Sequence, residues 1–103
     1  MWAQLIKTQL KPGREGDLLQ LHEQLRAIEQ PDSGLVRSTA FPDQKDPTTV
    51  YILVVFESEE KARARESDPR RQQGLEGVRA LMAEIMAAPP EFTDLVIVDE
   101  SAP

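Results

Sequence analysis

Seven consecutive residues, Val50-Tyr51-Ile52-Leu53-Val54-Val55-Phe56, are apolar. A strand with one wet face would alternate polar and apolar residues, so this run reads as a strand buried on both faces. Whatever surrounds it must cover both sides. A shorter run, Leu95-Val96-Ile97-Val98, repeats the pattern near the end of the chain. The whole chain is 103 residues long, enough to close one hydrophobic core but not two. One domain over residues 1–100 is expected, with Ser101-Ala102-Pro103 as a frayed tail.

The other elements follow from punctuation and periodicity. Residues 2–10 alternate imperfectly and read as a first strand. Pro12-Gly13 ends it. Over residues 14–29, Leu18, Leu21, Leu25 and Ile28 recur at helical steps and form one apolar face. Arg14, Glu15, Asp17, Glu23, Arg26 and Glu29 are assigned to the opposite face. Residues 34–41 and 48–57 read as two strands joined by the polar turn Pro42–Pro47. Ser58 suits the cap of a short helix over Glu59–Ser67. Asp68 suits the cap of the next helix, with Pro69 at its first position, where a missing N–H costs nothing. Leu75, Val78, Leu81, Met82, Ile85 and Met86 are its apolar face, and Gly74 and Gly77 weaken it. Residues 92–99 close the chain as a strand.

The order strand, helix, strand, strand, helix, strand is the split βαβ arrangement. It is a ferredoxin-like α+β fold with an antiparallel sheet and both helices on one face. The second sheet face should then be wet, yet Val50–Phe56 and Leu95–Val98 are apolar on both sides. No spare helix exists to cover them. A second copy of the chain, packed sheet to sheet about a two-fold axis, is the expected cover.

Composition narrows the chemistry. Eighteen acidic residues against twelve basic ones give a formal net charge of -6, so nucleic acid is not an expected partner. Cysteine is absent, which excludes disulfides, thiolate metal sites and cysteine nucleophiles. His22 is the single histidine, so a zinc site would have to be built from it and carboxylates, which is uncommon, and no metal is expected. There is no glycine-rich phosphate loop or dinucleotide fingerprint, and the expected cofactor count is none. No stretch approaches the ~20 apolar residues of a membrane helix, and no leader pattern opens the chain. The default expectation is a cytoplasmic protein with no membrane partner.

A strand ending in Lys11-Pro12-Gly13, a helix, and then Pro31-Asp32-Ser33-Gly34-Leu35 resembles the antibiotic biosynthesis monooxygenase family. So do Asp46-Pro47-Thr48-Thr49-Val50-Tyr51-Ile52-Leu53 and Phe56-Glu57-Ser58-Glu59-Glu60-Lys61-Ala62. The resemblance runs from about Trp2 to Val98. It implies a dimeric α/β barrel with one pocket per protomer, between sheet and helices. It also implies an oxygenase that needs no metal or flavin and acts on a small aromatic or quinol-type compound. A haem-degrading branch of the superfamily carries an Asn–Trp–His pattern. Here that strand position falls near Ile6, no asparagine exists, and the second helical region has no histidine, which argues against haem degradation. Ala64-Arg65-Glu66-Ser67-Asp68-Pro69-Arg70-Arg71 has arginines where relatives carry histidines, and an arginine does not serve as an ordinary proton shuttle.

His22 is the candidate catalytic residue, as a general base that deprotonates a phenol or quinol; the plainer reading is a half-exposed boundary histidine. The substrate-binding candidates are Trp2, Gln4, Arg37 and Tyr51. Trp2 would stack on a flat ring or anchor the first strand. Gln4, Thr8, Arg37 and Thr39 are polar on sheet strands and would orient a ligand, pair across a dimer, or face solvent. Arg37 would need a carboxylate or phenolate partner if buried. Tyr51 would donate its hydroxyl or pack in its strand. Lys61, Arg63, Arg65, Arg70 and Arg71 form a basic cluster with two readings: a solvated surface laced with ion pairs, or a gate for an anionic ligand near Asp68-Pro69. Two alternatives accompany the oxygenase: a non-catalytic dimeric module that binds a small apolar ligand or a protein, and a proton-transfer enzyme using His22 as base.

Overall fold

The computed structural model describes residues 1–103. Its elements are β1 (Trp2–Gln9), a 3-10 turn (Glu15–Asp17), α1 (Leu18–Ala27), β2 (Leu35–Pro42), β3 (Thr49–Phe56), α2 (Glu59–Glu66), α3 (Pro69–Ile85) and β4 (Glu91–Val96). The four strands form one antiparallel sheet in the order β2-β3-β1-β4. This is the ferredoxin-like α+β fold, with the second helical region broken in two. The break comes where the sequence marks it. The Ser58 hydroxyl accepts from the Lys61 N–H to start α2, and the Asp68 carboxylate accepts from the Arg70 N–H to start α3.

β3 is central, hydrogen-bonded to β1 on one side and β2 on the other, which is why its sequence is apolar throughout. Val50, Ile52, Val54 and Phe56 share one face with Trp2, Gln4, Ile6 and Thr8, opposite them in register. The helices cover this face. Leu10, Leu21, Val50, Val78 and Ile85 form one buried cluster, and Trp2, Val54, Phe56 and Ala62 form another. Ile52 packs against both.

The other face carries Ala3, Leu5 and Lys7 of β1, Tyr51, Leu53 and Val55 of β3, Arg37, Thr39 and Phe41 of β2, and Glu91, Thr93 and Leu95 of β4. No helix covers it. Tyr51 and Leu53 are half-buried, and Phe41 is 49% exposed. The closing strand is shorter than the 92–99 expected. Val96 already pairs with Trp2 at the start of β1, so the ladder has no partner beyond it. Leu95, Val96 and Val98 are exposed in the single chain rather than buried, and the chain turns back until Glu100 lies 3.5 Å from Arg37. No helix is long and apolar enough to cross a membrane.

The two α3 glycines give substitutions of opposite sign. A Cβ on Gly74 would sit 2.7 Å from Ile28 Cγ2 and 2.8 Å from Ile28 Cβ, so this glycine lets α1 and α3 approach closely. Gly74→Ala should therefore destabilise the fold by about 1–3 kcal/mol. At Gly77 a Cβ meets nothing within 4 Å. Gly77→Ala should stabilise by about 0.5–1 kcal/mol through helix propensity alone. Urea denaturation of the two variants checks both signs.

Candidate functional site

A cavity of about 670 Å³ lies between the helix-covered sheet face and the helices. That is ample for a small organic ligand. Its sheet side is mostly apolar: Ile6, Leu35, Ile52, Val54, Phe56 and Phe92, with Gln4 and Ser38. Its helix side is mixed, with Leu25, Leu75 and Gln72 set among charged groups. His22, Arg26 and Glu29 come from the α1 region, Arg65 and Glu66 from α2, and Arg71 and Arg79 from α3.

Of the catalytic and substrate-binding candidates His22 and Gln4 line this space, and so do Arg65 and Arg71 of the basic cluster. Burial, and then the positive charge of Arg26, hold the His22 imidazole below its ordinary value of 6.5. At neutral pH the ring is therefore neutral, with a lone pair free to accept a proton. Gln4 Nε2 donates to Asp94 Oδ1 at 3.0 Å, which fixes its amide at the β1–β4 edge.

The remaining candidates lie elsewhere. Trp2 is a core residue, 6% exposed, with its ring 6.1 Å from that of Phe56 and the Arg63 guanidinium 5.0 Å above it. It is not among the cavity-lining residues. Thr8 is buried, and its hydroxyl donates to the Val50 carbonyl at 3.0 Å. Arg37, Thr39 and Tyr51 point to the opposite sheet face. For Arg37 the reason is a bulge. Leu35 pairs with Phe56 but Arg37 pairs with Val55, so Val36 is the extra residue and the alternation flips. Arg37 is half exposed and faces Glu100, not a buried ligand.

The basic cluster splits. Lys61 pairs with Glu57 on the surface. Arg63 bonds Asp94 at 2.7 Å, and Arg70 bonds Asp68 and Asp32. Arg65 and Arg71 instead turn inward, each with only 16% of its side chain exposed. Arg65 donates twice to Glu29, from Nε to Oε2 at 2.9 Å and from Nη2 to Oε1 at 2.7 Å, a bidentate pair. Its guanidinium also lies 5.1 Å from the Phe56 ring centre. Arg71 Nη1 stands 3.7 Å from the same Glu29 Oε1, buried and without a hydrogen-bond partner. Burial works against the Glu29 charge, but the hydrogen bond and charge of Arg65 and the charge of Arg71 hold its carboxyl below the usual value. Arg71 is pushed below the ordinary arginine value, first by burial and then by Arg65.

Glu29 and Arg26 are corrections to the sequence reading, which set both on the outer face of the helix. Glu29 follows Leu25 by four residues, and Arg71 precedes Leu75 by four. Both charges are in phase with an apolar stripe, and that phase is the signal that could have found them.

Many solved structures share this fold at full length. An antibiotic biosynthesis monooxygenase structure superposes with a TM-score of 0.72 at 14% identity, over 96% of this chain and 100% of that one. SnoaB, a cofactor-independent oxygenase from Streptomyces nogalater, superposes with a TM-score of 0.75 at 12% identity, over 96% of this chain and 94% of that one. NE2512, a protein of unknown function from Nitrosomonas europaea, superposes with a TM-score of 0.73 at 20% identity, over 99% and 93%. No protein-family model matches the chain, and comparison with curated proteins finds no match.

Proposed function

We propose that this chain, with the fold of the antibiotic biosynthesis monooxygenase structures, is a cofactor-independent oxygenase acting on a small aromatic or quinol-type compound. The observation that carries the reading is the placement of the single histidine, half-buried, on the wall of a half-apolar cavity, where burial and Arg26 hold its imidazole below the ordinary value. His22 is the base, and Gln4 orients the substrate against the apolar sheet side.

The chemistry needs only substrate and oxygen. With an anthrone, His22 takes a proton from the acidic methylene and leaves a carbanion delocalised over the rings. The anion passes one electron to O2, and the resulting radical and superoxide combine into a C–O–O bond. The protonated imidazole returns its proton to the terminal oxygen. The hydroperoxide then loses water, using the second methylene hydrogen, and leaves a ketone. One oxygen atom stays in the product and the other departs as water. The four electrons that reduce O2 come from the substrate. The apolar side of the cavity excludes bulk water from the anion.

The functional unit in this reading is a homodimer in the cytoplasm, joined through the open sheet face. No helix covers that face, its central residues are apolar, and Phe41 and Leu95 stay exposed on it in the single chain. The two-fold partner presents the same surface, so each face covers the other.

Dithranol, an anthrone, tests the activity. The purified chain should consume O2 with dithranol above the uncatalysed rate, one O2 per ketone formed. Saturable dithranol binding without added O2 uptake would contradict the oxygenase and identify a binding module instead.

A further inference from the structure

We propose that the Glu29 end of the cavity is an anion subsite, in which Arg71 receives the carboxylate of an aromatic ligand whose ionisable group lies at the His22 end. This deepens the oxygenase reading and rests on it only for the role of His22.

The charge balance carries the argument. Four arginines line the cavity against two glutamates, with His22 neutral. At the Glu29 end two inward guanidiniums share one carboxylate. Arg65 takes both Glu29 oxygens, at 2.7 and 2.9 Å. Arg71 is left at 3.7 Å, within ion-pair range but with its buried Nη1 making no hydrogen bond. An arginine keeps its proton even under these conditions, so this charge cannot be relieved by titration. A buried cation without a hydrogen-bonded partner is costly, and a ligand anion relieves that cost. The planar fork of the guanidinium matches a carboxylate. Of the four arginines, Arg71 is the one at the Glu29 end with a buried nitrogen that no hydrogen bond satisfies, and a ligand carboxylate there offsets part of the excess positive charge.

The placement of the two groups sets the ligand's polarity. His22 lies within α1 and Glu29 just beyond its end, so the base and the Arg65–Glu29–Arg71 cluster sit at separate places along one wall of the cavity. The apolar side chains Ile52, Val54 and Phe56 line the sheet opposite. The ligand is therefore a flat, rigid aromatic acid, with its carboxylate at one end and its ionisable hydroxyl or methylene at the other.

Calorimetric titration with 6-hydroxy-2-naphthoate and with 2-naphthol tests the subsite, because the two probes share their rings and hydroxyl. The wild-type chain should bind the carboxylate at least about tenfold more tightly, the difference expected for one charged hydrogen-bonded contact. Arg71→Gln should remove that preference, and Arg71→Lys should restore part of it. Equal affinity for the two probes in the wild type overturns the subsite. So does an Arg71→Gln variant that keeps the preference, or a folded wild type that binds neither probe. Circular dichroism of the variants separates a lost subsite from a lost fold. The two proposals fail separately. Carboxylate preference without O2 uptake from dithranol sinks the oxygenase and leaves the subsite. Uptake with no carboxylate preference does the reverse.

Discussion

His22→Gln should lower the rate of dithranol-dependent O2 uptake by about 100-fold or more, the usual contribution of a positioned general base. Glutamine is near histidine in size and keeps hydrogen-bonding capacity, but it cannot hold a proton at neutral pH. Binding of 2-naphthol should change far less than the rate, because most of its contact is with the apolar sheet side. The pH dependence follows from the environment of the ring. Arg26 on its own helix, Arg79 on α3 and Arg65 and Arg71 at the far end all line the same cavity, against Glu29 and Glu66. Burial and Arg26 depress the imidazole, so the base form persists below pH 6.5 and the rate should fall only as pH drops further. The same shift affects stability. A histidine held below its unfolded value contributes stability above pH 6.5, and that contribution is lost as pH falls through the folded value. An unchanged rate in His22→Gln would end both schemes that use this residue as a base.

The second large effect is on assembly. Leu53 pairs with Leu5 at the middle of the open sheet face, on the two central strands. Leu53→Glu would bury a carboxylate at the centre of the proposed dimer, against a copy of itself across the two-fold. Dissociation should become at least about a hundredfold easier, the scale of a central interface residue. Sedimentation equilibrium should show a dimer for the wild type and a monomer for the variant. The variant should still bind 6-hydroxy-2-naphthoate, because Leu53 and the cavity lie on opposite sides of the sheet. A monomeric wild type, or a variant still dimeric at the same concentration, would contradict the interface.

The legible parts of the fold are those governed by local chemistry. Ser58, Asp68 and Pro69 act within a turn of their own positions, so the α2–α3 break can be read from the sequence. The unbroken apolar run marks β3 as central for the same reason. What could not be read depends on parity and phase. Tyr51 and Ile52 are equally apolar neighbours, and nothing local says which faces the helices. At Arg37 a single extra residue, Val36, reverses the face. Among the arginines, the four-residue step from Arg71 to Leu75 is the one mark of an inward turn, and α2 has no apolar stripe to mark Arg65. Arg65 and Arg71 differ from Arg63 and Arg70 only in helical phase, and the break at Asp68 resets that phase. The end of β4 is set by where β1 starts, a partner distant in sequence. Trp2 could be read as a wall or as core, and its place beside Phe56 depends on the strand register.

The most direct test of the account is the pH titration of the His22 ring by proton–carbon correlation NMR, with and without bound 6-hydroxy-2-naphthoate. A single histidine gives a single, unambiguous ring signal. The account predicts a titration below 6.5 in the free protein and a shift of the ring signal when the cavity is filled. A ring that titrates at its ordinary value and does not respond to the ligand would place His22 outside any working site and contradict the account.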